Sequence, residues 1–158
     1  MTVLLVRHAR AGRRDRWRGD DRLRPLTKRG RVQAHALVEL LAPWPEATLL
    51  SSPWVRCVQT VEPLAQARRV DVKIEDALGE GMGPKAWELL TGLVDGDGDD
   101  HRGVRALAVL CTHGDVIEEI HGRLAATGCR LDGPPHAAKG SVWVIEDLTL
   151  ARYLPPPL

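Results

Sequence analysis

The chain of 158 residues has the length of one typical domain, and 44% of its residues are hydrophobic, which is enough for one buried core. We therefore expect a single domain over residues 1–158 and exclude a disordered chain. No apolar run approaches the roughly 18 residues that cross a bilayer, and the N-terminus lacks the basic start of a signal peptide, so we predict a cytoplasmic protein with no membrane partner. The three cysteines, an odd number without a C-x-x-C pair, predict reduced thiols rather than disulfides or a zinc site.

Positive charge is concentrated at the start of the chain, although the formal net charge is only +1. Residues 1–31 carry 11 of the 22 lysine and arginine side chains, against three aspartates. Such a segment could be a nucleic-acid arm, a solvated surface or the approach to a site for an anionic substrate. The excess is confined to one segment and is mostly arginine, whose planar guanidinium suits phosphate and carboxylate. We predict no nucleic-acid partner and keep the other two alternatives open.

The chain opens with a strand, a polar loop, a helix and a second strand. Residues 2–6 (TVLLV) form an apolar run typical of a strand buried on both faces, and an arginine-rich loop follows through Pro25. Thr27 is the predicted N-cap of a helix whose apolar spacing reaches Leu41. Residues 47–51 (ATLLS) predict the second buried strand.

A second helix and a more exposed strand come next. Ser52 is a suitable N-cap and Pro53 suits the first helical position, so the second helix is predicted to begin there. Pro63 is expected to end or kink it. Residues 70–74 alternate apolar and polar side chains, which predicts a half-buried strand near an edge of the sheet, and a glycine-rich loop follows at 79–83.

The second half of the chain repeats the alternation. A helix is predicted over residues 84–94, followed by an acidic loop at 95–100 (DGDGDD) and a fourth strand at 105–111. Asp115 and Glu118 have the spacing of a capping box at the start of another helix.

A fifth strand at 141–145 (SVWVI) completes the pattern. Strands that alternate with helices indicate an α/β protein with helices on both faces of the sheet. We therefore predict a three-layer α/β/α sandwich around a mostly parallel central sheet of about five to six strands.

Charged side chains follow three of the predicted strands at the point where each strand ends. Arg7 and His8 follow the first strand, Arg56 lies one turn into the helix after the second, and His113 and Gly114 follow the fourth. Ligands of open α/β sheets gather outside the carboxyl ends of the strands, so these groups are expected to converge. Two arginines and two histidines in one crevice make a positive site that suits an anion.

Four motifs at these junctions occur in a fixed order along the chain: LLVRHA, PLTKRGRVQA, SSPWVRCVQT and CTHGD. Together they resemble the histidine phosphatase superfamily, whose members include phosphoglycerate mutases, acid phosphatases and small SixA-type phosphohistidine phosphatases. The resemblance covers about residues 3–120. It implies a phosphoglycerate mutase-like sheet, mixed but mostly parallel, and phosphoryl transfer through a phosphohistidine intermediate without a metal or other cofactor.

The resemblance places the family's nucleophile at His8, its phosphate-binding arginines at Arg7 and Arg56, and its second histidine at His113. General chemistry agrees, because a neutral imidazole nitrogen is nucleophilic near pH 7 and a covalent intermediate divides one difficult transfer into two. The transition state carries negative equatorial oxygens, to which Arg7, Arg56 and His113 can donate. We predict these four residues as catalytic and no metal ligands.

A general acid is harder to assign from the sequence. In mutase-like members an acidic residue in the middle of the chain protonates the leaving oxygen, and Glu80 in ALGEGMG lies in the corresponding region. Asp115 is the rival, although it already has a predicted capping role. We predict Glu80.

Two departures from larger relatives bear on specificity. Ala9 stands where many relatives have glycine, which resembles the SixA-type proteins and the phosphatase domains appended to Nudix hydrolases. The chain also lacks long insertions after its second and third strands, so we expect an open, shallow site. The loop of residues 10–24 is the predicted specificity element, with Arg13, Arg16 and Trp17 as candidate substrate-binding residues. Trp17 could stack on a nucleobase or pin the loop to the core.

Three functions remain open at this point. The leading hypothesis is a phosphatase that acts on a phosphohistidine protein or a similarly exposed phosphoryl group. The alternative enzyme is a nucleotide or small-metabolite phosphatase, which could work beside a Nudix hydrolase. A mutase is disfavoured because no lid-sized insertion would keep water away. The remaining alternative is a phosphate-binding module without turnover, although a binder has no need of His8 and His113.

Overall fold

A computed structural model describes residues 1–45, 47–95 and 107–158. These residues form one sheet of seven strands with helices on both of its faces. The strands, β1 to β7 in chain order, are Thr2–Arg7, Thr48–Ser51, Val72–Ile74, Leu107–Thr112, Arg130–Asp132, Val142–Glu146 and Leu150–Leu154. The helices, α1 to α4, are Lys28–Leu40, Val55–Arg68, Gly83–Asp95 and Gly114–Ala126. The predicted three-layer α/β/α class is confirmed.

The strand order of the sheet is β3-β2-β4-β1-β6-β7-β5. The first four strands in this order run parallel to one another, and β6 is antiparallel to both β1 and β7. Arg7 is in register with Thr112, and Ser51 is in register with Cys111. The carboxyl ends of β1, β2 and β4 therefore meet at one edge of the sheet, which is where open α/β sheets bind ligands.

The central strand β1 is apolar throughout because helices cover both of its faces. Val3 and Leu5 belong to the apolar cluster that includes the buried faces of α3 and α4. Leu4 and Val6, which point the other way, belong to the cluster that includes α1 and α2. All four side chains are at most 2% exposed, so the position of the residues that follow β1 is fixed by packing on both sides.

Two strands were missed by the sequence analysis, and the sheet has seven strands rather than about five to six. β5 has three residues, which is too short for a recognisable pattern. β7 follows β6 through a tight turn in which Asp147 and Leu148 have φ of 47° and 57°. Such a turn usually contains glycine or asparagine, and neither is present to signal the hairpin. β3 lies at an edge of the sheet, as predicted.

The helix ends that were predicted from the sequence are confirmed only in part. The Thr27 hydroxyl accepts a hydrogen bond from the Gly30 amide at 3.1 Å, so the predicted cap of α1 is confirmed. The prediction for α2 was wrong by two residues, because the helix begins after Trp54 and the Ser52 hydroxyl accepts from the Trp54 amide instead. Pro63 lies inside α2 without ending it, since the lost amide hydrogen bond is outweighed by packing against β2 and β4.

The predicted capping box at Asp115 was also wrong. His113 is the N-cap of α4, and the Asp115 carboxylate accepts a hydrogen bond from the Gly81 amide at 2.8 Å. Asp95 ends α3, and the rest of the predicted acidic loop at 95–100 lies outside the described residues, as do the first two residues of the strand predicted at 105–111. Among the described residues, no helix has the length and hydropathy of a membrane span.

Candidate active site

The carboxyl ends of β1 and β4 border a cavity of about 280 Å³. Arg7, His8 and His113 line it, together with Glu80 from the loop before α3. Arg56 does not line the cavity and instead contacts Glu80, with 3.5 Å between its Nη2 and Oε2 of the glutamate. Five predicted site residues from four parts of the chain therefore lie together in the structure.

His8 is buried and presents one ring nitrogen for chemistry. Its side chain is 6% exposed, and Nδ1 lies 2.8 Å from the carbonyl oxygen of Ala9. A carbonyl oxygen can only accept, so Nδ1 carries the proton and the lone pair of the neutral ring is on Nε2. Burial, together with the positive charges of Arg56 and Arg7 and the neighbouring His113, lowers the pKa of His8 to about 3. The imidazole is therefore neutral near pH 7.

Arg7 is held beside His8 by a hydrogen bond to the segment that precedes β6. Its Nη1 donates to the carbonyl oxygen of Ala137 at 2.5 Å, and its Nε is buried without a hydrogen-bond partner. A Cβ at Gly114 would lie 2.9 Å from the guanidinium carbon, so the glycine of the CTHGD motif leaves room for Arg7. The arginine thus has a fixed position and an unused donor.

Arg56 is completely buried, and the arginine-rich loop supplies its partners. Nη1 donates to the carbonyl oxygen of Asp21 at 2.9 Å, and Nη2 donates to the carboxylate of the same residue at 3.1 Å. Asp21 also accepts from Nε of Arg24 at 2.8 Å. One carboxylate therefore fixes two arginines at the edge of the cavity, and this role of Asp21 was missed by the sequence analysis.

His113 is fixed by hydrogen bonding and by aromatic contacts. Its Nε2 lies 2.8 Å from the Ser52 hydroxyl, and its ring meets Trp54 edge to face with 5.2 Å between centroids. The His8 ring lies 5.5 Å away, and Nδ1 of His113 is buried without a partner. Ser52 and Trp54, at the start of the third motif (SSPWVRCVQT), thus orient His113, a role that the sequence did not indicate.

The two candidate acids occupy different positions in the site. Glu80 lies between two guanidiniums, with Oε1 at 2.6 Å from Nη2 of Arg14 and Oε2 at 3.5 Å from Nη2 of Arg56. Asp115 also lines the cavity, and its carboxylate binds the Gly81 amide. Both carboxylates face the site, and Glu80 alone of the two contacts its arginines.

The arginine-rich loop contributes other residues than those singled out in the sequence. Arg13 lines the cavity and pairs with Asp15 at 2.6 Å. Arg16 and Trp17 do not line it, and Trp17 is 38% exposed, so it is not packed in the core either. Arg24, by contrast, lines the cavity and is 5% exposed. Arg24 lies in the sequence R-P-L-T, which ends at the helix cap Thr27, and this position was the signal from which its role could have been predicted.

Among the described residues, no group of three or more histidine, cysteine, aspartate or glutamate side chains is arranged to hold a metal ion. The three cysteines are free and buried.

The pair of histidines beside two arginines at the carboxyl ends of the strands forms a positive site that suits an anion, and comparison with known sequences assigns the chain to a family. The chain belongs to the histidine phosphatase superfamily (branch 1), whose family profile matches residues 3–93. A curated relative, the 8-oxo-(d)GTP phosphatase of Mycolicibacterium smegmatis, is 39% identical over 178 aligned residues that cover 99% of this chain and 48% of the relative. The chain thus spans about half the length of that relative.

Solved structures show the same fold at lower identity. The protein histidine phosphatase SixA in complex with tungstate has a TM-score of 0.70 at 19% identity, covering 98% of this chain and 94% of that one. A mycobacterial glucosyl-3-phosphoglycerate phosphatase has a TM-score of 0.67 at 17% identity, with 97% and 95% covered. The predicted family is therefore confirmed.

Proposed function

We propose that the protein hydrolyses the terminal phosphate of a nucleotide, without a metal, through a phosphohistidine at His8. The observation that carries the mechanism is the hydrogen bond from His8 Nδ1 to the Ala9 carbonyl oxygen, which leaves the Nε2 lone pair free in a neutral ring. The lowered pKa of His8 keeps the ring in this form near pH 7, because burial and the neighbouring positive charges oppose protonation.

The first half-reaction transfers the phosphoryl group to the enzyme. Nε2 of His8 attacks phosphorus, the bond from phosphorus to the leaving oxygen breaks, and the electron pair departs on that oxygen. The unused Nε of Arg7 and Nδ1 of His113 are donors for the equatorial oxygens, and the buried Arg56, which lies outside the cavity lining, contributes its positive charge. Glu80 supplies a proton when the leaving group is an alkoxide.

The second half-reaction returns the enzyme to its starting state. A water oxygen attacks the phosphorus of the phosphohistidine, the bond from nitrogen to phosphorus breaks, and the electron pair returns to Nε2 of His8. The Glu80 carboxylate accepts a proton from that water, and orthophosphate leaves. After a phosphate leaving group, Glu80 then releases this proton to solvent; after an alkoxide, the proton replaces the one given in the first half-reaction. The neutral form of His8 favoured by its surroundings is thereby restored.

A nucleotide is the substrate supported best. The relative at 39% identity is an 8-oxo-(d)GTP phosphatase, whereas the SixA structures at about 20% identity share the fold only. Arg13 and Arg14 line the outer part of the cavity and are exposed, so they are placed to meet the part of the substrate beyond the reacting phosphate. Arg16 and Trp17 are left out because they do not line it.

The test is hydrolysis in EDTA of four substrates: an aryl phosphate, nucleoside di- and triphosphates, phosphoglycerates and a phosphohistidine protein. We expect the nucleotides to be the best substrates, His8→Ala to be inactive, and the control His35→Ala, which changes an exposed histidine of α1, to be unaffected. A brief reaction with terminally labelled nucleotide should leave acid-labile, alkali-stable label on the wild type only.

Each other outcome rejects a different part of the proposal. Efficient cleavage of the phosphohistidine protein alone would replace the substrate and keep the mechanism. Retained activity in His8→Ala would reject the nucleophile, and no turnover on any substrate would favour the phosphate-binding module.

A further inference from the structure

A second cavity of about 540 Å³ lies beside the candidate active site. Four basic residues line it, namely Arg10, Lys28, Arg29 and Lys139. No acidic side chain among the described residues lines this cavity, which we call the basic cavity. Four cations around one concave surface create a positive potential that favours an anionic ligand.

The basic cavity is continuous with the active site. Ala11 and Lys139 line both cavities. The segment that carries Lys139 is fixed to the end of β1, because the Gly140 amide donates to the carbonyl oxygens of Arg7 and His8 at 3.1 Å each. Burial and the positive charges of arginines from both cavities lower the pKa of Lys139. A ligand bound at His8 therefore has the basic cavity next to it.

The four cations lack side-chain carboxylate partners, whereas several other cations near the start of the chain have them. Arg13, Arg22 and Arg24 of the same loop each pair with an aspartate, at 2.6 to 2.8 Å. Within the described part of the chain, no carboxylate forms an ion pair with any of the four cations of the basic cavity. The terminal carboxyl group of Leu158, which also lines the cavity, accepts a hydrogen bond from Gln33 at 3.2 Å. The four cations outnumber this one carboxylate, so net positive charge is available to a ligand.

The backbone around the basic cavity is held in place before any ligand binds. The Arg10 amide donates to the side chain of Gln33 at 2.9 Å, and the Arg10 carbonyl accepts from the Thr27 amide at 2.9 Å. Thr27 is the cap of α1, so the positive end of the helix dipole adds to the charge of the first-turn residue Lys28. The four side chains are exposed, but because their backbone is already fixed, no loop has to be ordered when an anion binds.

We propose that the basic cavity binds a second phosphate group, bonded through oxygen to the phosphoryl group that reacts at His8. This inference rests on the proposed function and specifies it, because the substrate must then carry a phosphoanhydride, as nucleoside di- and triphosphates do. Nε2 of His8 forms the bond to the terminal phosphorus while the anhydride bond breaks. The electron pair leaves on the oxygen of the second phosphate, whose charge the four cations stabilise. Water then releases orthophosphate, and the other product is a nucleotide shorter by one phosphate.

Binding of two unreactive probes tests the basic cavity without turnover. Methylenediphosphonate carries two phosphonate groups and methylphosphonate carries one, and their affinities for the full chain can be compared by calorimetry. We expect the diphosphonate to bind at least about tenfold more tightly, since each charged hydrogen bond contributes about a tenfold gain. In Lys28→Gln/Arg29→Gln this preference should fall towards one. The control Arg31→Gln/Lys85→Gln removes equal charge from exposed positions outside the cavity and should keep the preference.

Kinetics provide the second readout. For Lys28→Gln/Arg29→Gln, the loss in kcat/KM on a nucleoside diphosphate should exceed the loss on an aryl phosphate by about tenfold. Equal affinity of the two probes for the wild type, or an equal effect of both double variants, overturns the inference. A preserved diphosphonate preference in a wild type that hydrolyses no nucleotide rejects the proposed substrate but keeps the anion site.

Discussion

Asp21 is predicted to position the arginines of the active site, and Asp21→Asn tests this. The carboxylate receives hydrogen bonds from the buried Arg56 at 3.1 Å and from the buried Arg24 at 2.8 Å. Asparagine has nearly the same shape but no charge, and its single side-chain oxygen cannot serve both arginines equally well. Asp20 offers a matched control, since it is the adjacent aspartate and pairs only with the exposed Arg22.

The magnitude follows from burial. A hydrogen bond to a charged group contributes about 1.5–3 kcal/mol when buried, and the Asp21 side chain is 32% exposed, so we expect a loss of about 1–2 kcal/mol. For a domain of this size that corresponds to a fall in Tm of roughly 2–8 °C. Displacement of Arg56 from the transition state should lower kcat/KM by about 10- to 100-fold. Asp20→Asn should change neither quantity measurably, because asparagine is an equally good N-cap.

The assay combines thermal unfolding with steady-state kinetics on an aryl phosphate, which needs the reacting phosphate alone. Loss of activity in Asp21→Asn without a comparable loss in Asp20→Asn supports the positioning role. The reasoning is refuted if the two variants behave alike, or if Asp21→Asn is destabilised while its kcat/KM stays at the wild-type value.

Three further predictions concern pH, packing and the leaving group. The pKa of His8 is about 3 in the folded chain and about 6.5 when unfolded, so the free energy of unfolding falls as pH drops from 6.5 towards 3. Urea unfolding at pH 4 should therefore show that the wild type has lost about 3 kcal/mol more stability than His8→Asn has, each compared with its own value near pH 7. Gly30→Ala should cost about 1–3 kcal/mol, because its Cβ would overlap the Arg10 carbonyl oxygen, whereas Gly122→Ala meets open space and should be neutral or stabilising in the same melts. Glu80→Gln should slow an alkyl phosphate far more than an aryl phosphate in parallel kcat measurements, and equal losses would remove the glutamate from proton transfer.

The fold could be predicted where each element has its own apolar pattern. β1 and β4 are continuous apolar runs because helices cover both faces of the sheet, and α1 carries a cap that its sequence shows. The hairpin from β6 to β7 could not be predicted, since it depends on a left-handed turn at Asp147 and Leu148 that tertiary pairing imposes. The prediction that Pro63 could end α2 was wrong for a related reason, because the packing of the helix outweighs the local preference of proline.

The residues of the candidate site were likewise predictable only where they follow a regular element. Arg7, His8 and His113 could be placed from the sequence because each follows a strand directly, and strand ends meet by the geometry of a parallel sheet. Asp21 and Arg24 could not, because their positions depend on the course of a loop without periodic pattern. The hydrogen bond between these two residues spans three positions, but the bond from Arg56 to Asp21 joins residues 35 positions apart and forms only in the folded chain.

The positive charge of residues 1–31 consists of cations that pair with aspartates and cations that do not, and the two groups have different roles. The three aspartates of the segment each pair with an arginine of the loop, and Asp21 also pairs with Arg56 at the active site. These ion pairs fix the loop, although Arg13 and Arg24 also line the active-site cavity. Of the cations of this segment without a side-chain carboxylate partner among the described residues, Arg10, Lys28 and Arg29 line the basic cavity. Arg16, Arg18 and Arg31 are exposed and line neither this cavity nor the active site. The segment therefore combines a solvated surface with a positive cavity, and the convergence of three unpaired cations beside His8 favours a polyanionic substrate over a single phosphate on a protein side chain.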